Sequence, residues 1–141
     1  MKVVINACFG GFNVSNEGMR RYAELKGIKL WVEQDKQFSI FTNYWTVAPE
    51  DRQSEHTPHE WHEWPLEKRA EWNERYRREH LSNSDFERDD PILVQVVEEL
   101  GEAASGRCAR LKVVEIPDGI DYEIDEYDGN EHVAEKHRTW S

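Results

Sequence analysis

The chain is poor in cysteine, in basic charge and in long apolar runs, and each shortage excludes a class of protein. Cys8 and Cys108 are the two cysteines, a hundred residues apart, and neither belongs to a CxxC or Cys/His pattern. That excludes a disulfide framework, a zinc finger and a thioredoxin-like motif, and leaves two reduced thiols. Eighteen Lys and Arg stand against 29 Asp and Glu, a formal net charge of −11. Neutralising phosphates needs a basic stripe and none is visible, so general DNA or RNA binding is not expected. No apolar run approaches the length of a membrane span, and residues 1–20 lack a basic start followed by an apolar stretch. Neither membrane association nor a leader is expected, and the sequence suggests a cytosolic protein. There is no GxGxxG, P-loop or HExxH signature, no internal repeat and no low-complexity tract.

What is present fits one domain over residues 1–141, with a modest core: 38% of residues are hydrophobic and 33% charged. Residues 1–8 read as a buried strand with Val3, Ile5 and Ala7 on one face. Gly10-Gly11 ends it, Ser15 or Asn16 caps a helix over 16–26, and Gly27 closes that helix. Residues 28–33 and 38–47 are rich in β-branched and aromatic residues and predict an antiparallel hairpin around Gln34-Asp35-Lys36-Gln37. Residues 48–90 turn polar and hold Pro49, Pro58 and Pro65. They read as a partly helical insertion, with a helix from Pro65 to about His80 that has only a thin apolar seam. Asp90-Pro91 starts the strongest core helix, in which Ile92, Leu93, Val96, Val97 and Leu100 recur at three- and four-residue spacing. A strand around Leu111 and Val113, a turn at Pro117-Asp118-Gly119, a half-buried strand over 121–126 and a second turn at Asp128-Gly129 follow. A short helix over 130–137 is predicted to close the chain. The fold class is α+β: a single mixed or mostly antiparallel sheet in the order β-α-β-β-insertion-α-β-β-α, with helices mainly on one face.

Three residue clusters invite a chemical reading. In the tail, helical spacing brings His132 beside Glu135 and lets Glu135 pair with Arg138, with His137 and Trp140 close by. Histidine exchanges protons near neutral pH, a carboxylate orients it, and arginine grips an anion bidentately. His132, Glu135 and His137 are therefore the catalytic candidates if the protein is an enzyme, which the sequence leaves open. The same residues also suit an ordinary C-terminal helix. In Asn6-Ala7-Cys8-Phe9-Gly10-Gly11-Phe12, paired glycines after a strand let backbone N–H groups approach a phosphate or carboxylate; a tight turn is the plainer account. Asn6, Cys8, Gly10, Gly11, Phe12, Arg138 and Trp140 are the ligand-binding candidates. In the third cluster, His56, His59 and His62 recur every three residues, but Pro58 breaks a continuous helix and a polar loop is expected. No metal site and no cofactor is assigned. Nine acidic residues and no basic one lie between Lys112 and Lys136, a solvated face or a cation site.

The opening Val4-Ile5-Asn6-Ala7-Cys8-Phe9-Gly10-Gly11-Phe12 and the closing Tyr127-Asp128-Gly129 with Glu135-Lys136-His137-Arg138-Thr139-Trp140 resemble a family of small uncharacterised proteins of tailed bacteriophages and prophages. The resemblance covers about residues 1–30 and 88–141. It implies a setting in the cytosol of an infected bacterium and two chain ends that work together, and it implies no catalytic residue. The expectation is a phage protein that binds or sequesters a nucleotide-like host defence signal between the Gly-Gly turn and the C-terminal segment. A hydrolase acting on such a nucleotide through a His/Glu pair is one alternative. An acidic inhibitor that docks on a host nucleic-acid-handling protein is another, and a homo-oligomer is compatible with each.

Overall fold

The computed structural model describes residues 1–34, 42–52 and 59–136. The element order is β1 (Lys2–Asn6), α1 (Asn16–Lys26), β2 (Trp31–Gln34), β3 (Thr42–Trp45), α2 (Leu66–Glu79), α3 (Pro91–Leu100), β4 (Leu111–Glu115), β5 (Tyr122–Tyr127) and β6 (Asn130–Glu135), with short 3-10 turns at Pro49–Asp51, Trp61–Glu63 and Gly101–Ala104. Helices and antiparallel strands together make an α+β fold. The chain divides into two compact units: one holds Met1–Gly27 with Asn83–Ser141, the other Ile28–Ser82.

In the first unit the core is aliphatic. Val3, Val4, Val14, Met19, Leu93 and Val96 are all at most 1% exposed, each such side chain contributing roughly 1.5–3 kcal/mol by leaving water. Helix α1 begins where the Ser15 hydroxyl accepts from the Gly18 N–H at 3.0 Å. It ends at Gly27, whose φ of 71° is the left-handed conformation that lets a C-cap N–H turn back to the last carbonyls. Helix α3 starts on Asp90, which accepts from the Ile92 N–H, with Pro91 in its first turn. Tyr22 on α1 donates to the other Asp90 oxygen, so one carboxylate joins the two helices. Burial and that carboxylate push the Tyr22 phenol above its ordinary value.

Strand β1 pairs antiparallel with β4, from Lys2 opposite Glu115 to Asn6 opposite Leu111. The single sheet predicted from the sequence is replaced, among the described residues, by three two-stranded ladders: β1–β4, β2–β3 and β5–β6. The reason lies along the other edge of β1. There the Val4 N–H donates to the Arg88 carbonyl at 2.8 Å and the Asn6 N–H donates to the Glu131 carboxylate at 2.8 Å. An irregular segment and a side chain thus take the bonds that a third strand would make.

A second correction concerns the tail. Residues 130–135 form strand β6, in place of the helix predicted over 130–137, and the residues after Lys136 lie outside the described ones. Asp128 and Gly129 have φ of 48° and 87°. Positive values at both central residues of a two-residue loop make the turn whose twist matches antiparallel strands, so the chain folds back on β5 from Tyr127 opposite Asn130 to Tyr122 opposite Glu135.

The second unit is built on rings. Strand β2 pairs with β3, Trp31 opposite Trp45, and the residues of the predicted connecting turn beyond Gln34 lie outside the described ones. Trp45 and Tyr44 are its buried anchors. After α2 the chain returns beside β3: Thr46 N–H donates to Glu79 O and Leu81 N–H to Tyr44 O, both at 2.8 Å. Trp45 meets the His80 ring at 5.0 Å and the Tyr76 ring at 6.0 Å, and the Arg52 guanidinium lies over Trp45 at 4.5 Å while pairing with Glu33. A separate group, Trp61, Trp64 and Trp72, joins the Trp61–Glu63 turn to α2. The predicted insertion over 48–90 contributes most of its residues to this unit and its last ones to the first.

Candidate functional site

The first unit brings the start of the chain and its closing hairpin together around one buried side chain. Asn6 is 0% exposed and uses its whole amide. Its Nδ2 donates to Cys8 O (2.8 Å) and Gly129 O (2.7 Å), and its Oδ1 accepts from the Arg110 N–H (2.9 Å). Beside it Glu131, 7% exposed, accepts from the Asn6 N–H and from the Arg88 guanidinium, Nη1 to Oε1 and Nη2 to Oε2 at 2.9 Å. Arg88 in turn lies over the Phe12 ring at 3.8 Å. A buried carboxylate with a bidentate arginine and a backbone donor is satisfied on both oxygens. Its chemistry is that of a staple between β1, the 88 region and β6.

The Gly10-Gly11 turn has a related use. A Cβ at Gly129 would sit 2.3 Å from the Gly11 nitrogen, and one at Gly10 would sit 2.7 Å from the Cys108 carbonyl oxygen. Gly10 also donates its N–H to Asp128 O at 3.0 Å. The paired glycines therefore make room for the 128–129 turn and for the 107–110 segment, and this N–H is already spent within the chain.

Outside this staple lies an open rim. Phe9 is 59% exposed and Tyr127 is 73% exposed, and their rings meet edge to face at 6.5 Å. The segment 107–110 runs alongside Phe9 and Gly10. The Ala7 N–H donates to Arg110 O at 2.8 Å, and Cys108, exposed and held at φ 63°, backs onto Gly10. Arg107 and Arg110 are exposed and make no ion pair among the described residues. The backbone thus brings a segment with two exposed arginines alongside the turn that follows β1. One nearby carboxylate is partly engaged, since Glu126 accepts from the Gly129 N–H at 3.0 Å.

The residues predicted from sequence fall into three groups. Asn6, Cys8, Gly10 and Gly11 are gathered at the junction of β1 with the closing hairpin, Asn6 as an internal linchpin and Cys8 half-buried. Phe12 is buried beneath Arg88, in the core. On β6, His132 is exposed and stands opposite Asp125, whereas Glu135 stands opposite Tyr122. Side chains three apart on a strand point to opposite faces, so His132 and Glu135 are not brought together as an acid–base pair. His137, Arg138 and Trp140 lie outside the described residues, as does His56. His59 and His62 are exposed, and among the described residues no group of three or more His, Cys, Asp or Glu is placed to hold a metal. No helix among them is long and apolar enough to cross a membrane.

Six residues of this region were missing from the candidates: Arg88 and Glu131 in the staple, and Phe9, Tyr127, Arg107 and Arg110 at the rim. The signal for the pair is its place, since Arg107, Arg110 and Lys112 are the last basic residues before the acidic stretch. Comparison with protein-family models, curated proteins and solved structures gives no match to the chain.

Proposed function

We propose that the protein is a small-ligand-binding module, and that its site is the rim of the first unit where Phe9, Tyr127 and the 107–110 segment meet. The ligand class is an anion with a planar ring, nucleotide-like. The observation that carries this reading is the exposed Phe9–Tyr127 ring pair on a turn whose backbone adjoins the 107–110 segment, where two exposed arginines have no carboxylate partner among the described residues. A ring face accepts a base by stacking, and a guanidinium accepts phosphate in a planar fork. The backbone beneath is held by the Asn6, Arg88 and Glu131 hydrogen bonds, so the rim is preorganised. In this reading Arg107 and Arg110 contact the anion, and Phe9 and Tyr127 stack on the ring. The resemblance to phage proteins supports a host signalling nucleotide as the ligand. Hydrolysis ranks below binding, because His132 and Glu135 lie on opposite faces of β6.

Isothermal titration of the protein with cyclic dinucleotides, cyclic mononucleotides and ADP-ribose tests the proposal. Binding to at least one of them that weakens at least tenfold in Arg107→Ala/Arg110→Ala supports it. Absence of heat with all of them, or affinity unchanged in that variant, overturns it.

A further inference from the structure

In the second unit, three indoles gather at the start of α2. Trp61 and Trp64 lie 5.7 Å apart, Trp64 and Trp72 5.6 Å, and Trp61 and Trp72 6.5 Å. All three are half-exposed. Two cations of the same chain already lie over them, but in different ways. Arg69 is anchored: its Nε donates to Trp61 O at 3.0 Å and its Nη2 to His62 O at 2.5 Å. Its ring contact to Trp61, at 5.9 Å, is secondary to those bonds. Lys68 has no hydrogen bond or ion pair of that kind among the described residues; its ammonium lies 4.0 Å from the centre of the Trp64 ring. The surroundings are acidic. Glu60, Glu63, Glu67 and Glu71 are exposed and make no ion pair among the described residues. Leu66, in the first turn of α2, is 78% exposed.

We infer that the Trp64 face is a receptor site for a lysine or arginine side chain from a basic segment of a partner protein, and that Lys68 occupies it until the partner arrives. An indole attracts a cation through its quadrupole, and the carboxylates around it raise the local concentration of positive charge. Leu66 gives an apolar contact that a free ammonium ion does not need and that a peptide alternating basic and apolar residues can use. Lys68 is the displaceable cation because, among the described residues, the ring alone holds it, whereas Arg69 is fixed by two carbonyls. This site is separate from the rim proposed above and does not depend on it.

The test uses the full chain and a blocked eight-residue peptide of alternating lysine and leucine, followed by tryptophan fluorescence, with the glutamine-for-lysine peptide as control. Lys68→Met keeps the alkyl packing and removes the competing cation. It tightens binding about two- to fivefold, the range a solvent-exposed cation–ring contact gives. Lys112→Met makes the same change in net charge in the other unit and leaves the affinity within that of the parent protein. Trp64→Phe, with near-UV circular dichroism as the check on folding, weakens binding by a similar factor. Failure of the lysine peptide to bind, no tightening in Lys68→Met, or equal tightening in Lys112→Met overturns the inference. Tetramethylammonium that competes as well as the peptide also overturns it, in favour of a free organic cation.

Discussion

Around Asn6 in the first unit, buried polar groups are wired to one another: the amide has three partners and the Glu131 carboxylate has two. Around Trp45 in the second unit, rings and cations are stacked instead, and Trp45 Nε1 and Arg52 Nε are buried with no hydrogen-bond partner among the described residues. Both arrangements serve a chain with few apolar residues. Directional bonds between distant segments specify one geometry, because a half-satisfied buried network is costly. A ring pair in edge-to-face geometry adds about 0.5–1.5 kcal/mol beyond its buried area. The difference teaches that the two units reach a defined structure by different means, a hydrogen-bonded frame in the first and packed rings in the second.

The contrast can be broken most severely at Arg88. Arg88→Met leaves the Glu131 carboxylate buried with only the Asn6 N–H, and stability in denaturant falls by about 3 kcal/mol. Arg88→Met/Glu131→Leu recovers most of that loss, since no charge is left stranded; a double variant as unstable as the single one would show that the pair is not the staple. In the second unit the matching change is smaller. Arg69→Met removes two bonds to carbonyls of the Trp61–Glu63 turn and costs roughly 1 kcal/mol, read as faster amide exchange in that turn. A loss as large as that of Arg88→Met would erase the distinction between the two regions.

The smallest effect sharpens the contrast through pH. Burial and the bond to Asp90 raise the Tyr22 phenol above its ordinary value of 10. The folded state then holds the proton more tightly than the unfolded one. Its contribution is complete below pH 10 and is lost as pH rises beyond 10 towards the folded value. Tyr22→Phe costs about 1 kcal/mol at neutral pH and removes this part of the alkaline slope in unfolding curves. A slope unchanged in Tyr22→Phe would assign it to other groups.

The helices were legible because their ends are punctuated locally. Ser15 and Gly27 bracket α1, and Asp90-Pro91 opens α3, in the places where the sequence put them. The closing strand was misread for the opposite reason. Glu131, His132, Glu135 and Lys136 have good helical spacing, but Asp128-Gly129 with alternating residues on either side is a hairpin signal, and it outweighs weak helix propensity. The role of Glu131 depends on Arg88, 43 residues away, which no local pattern reveals. The Gly-Gly turn was recognised as a place of close approach. What approaches is Gly129, from the far end of the chain.

The rim itself was legible only in part, since Phe9 and Tyr127 are 118 positions apart and meet only because the staple draws the hairpin onto β1. The central claim is that this ring pair, on that frame, is the ligand's seat. Its most direct measurement is titration of the best-binding nucleotide into Phe9→Ala/Tyr127→Ala, with thermal unfolding of the same protein as control. Both side chains are exposed, so the account predicts an unfolding midpoint close to the parent's and affinity reduced by tenfold or more. Undiminished affinity in a protein of unchanged stability would contradict it.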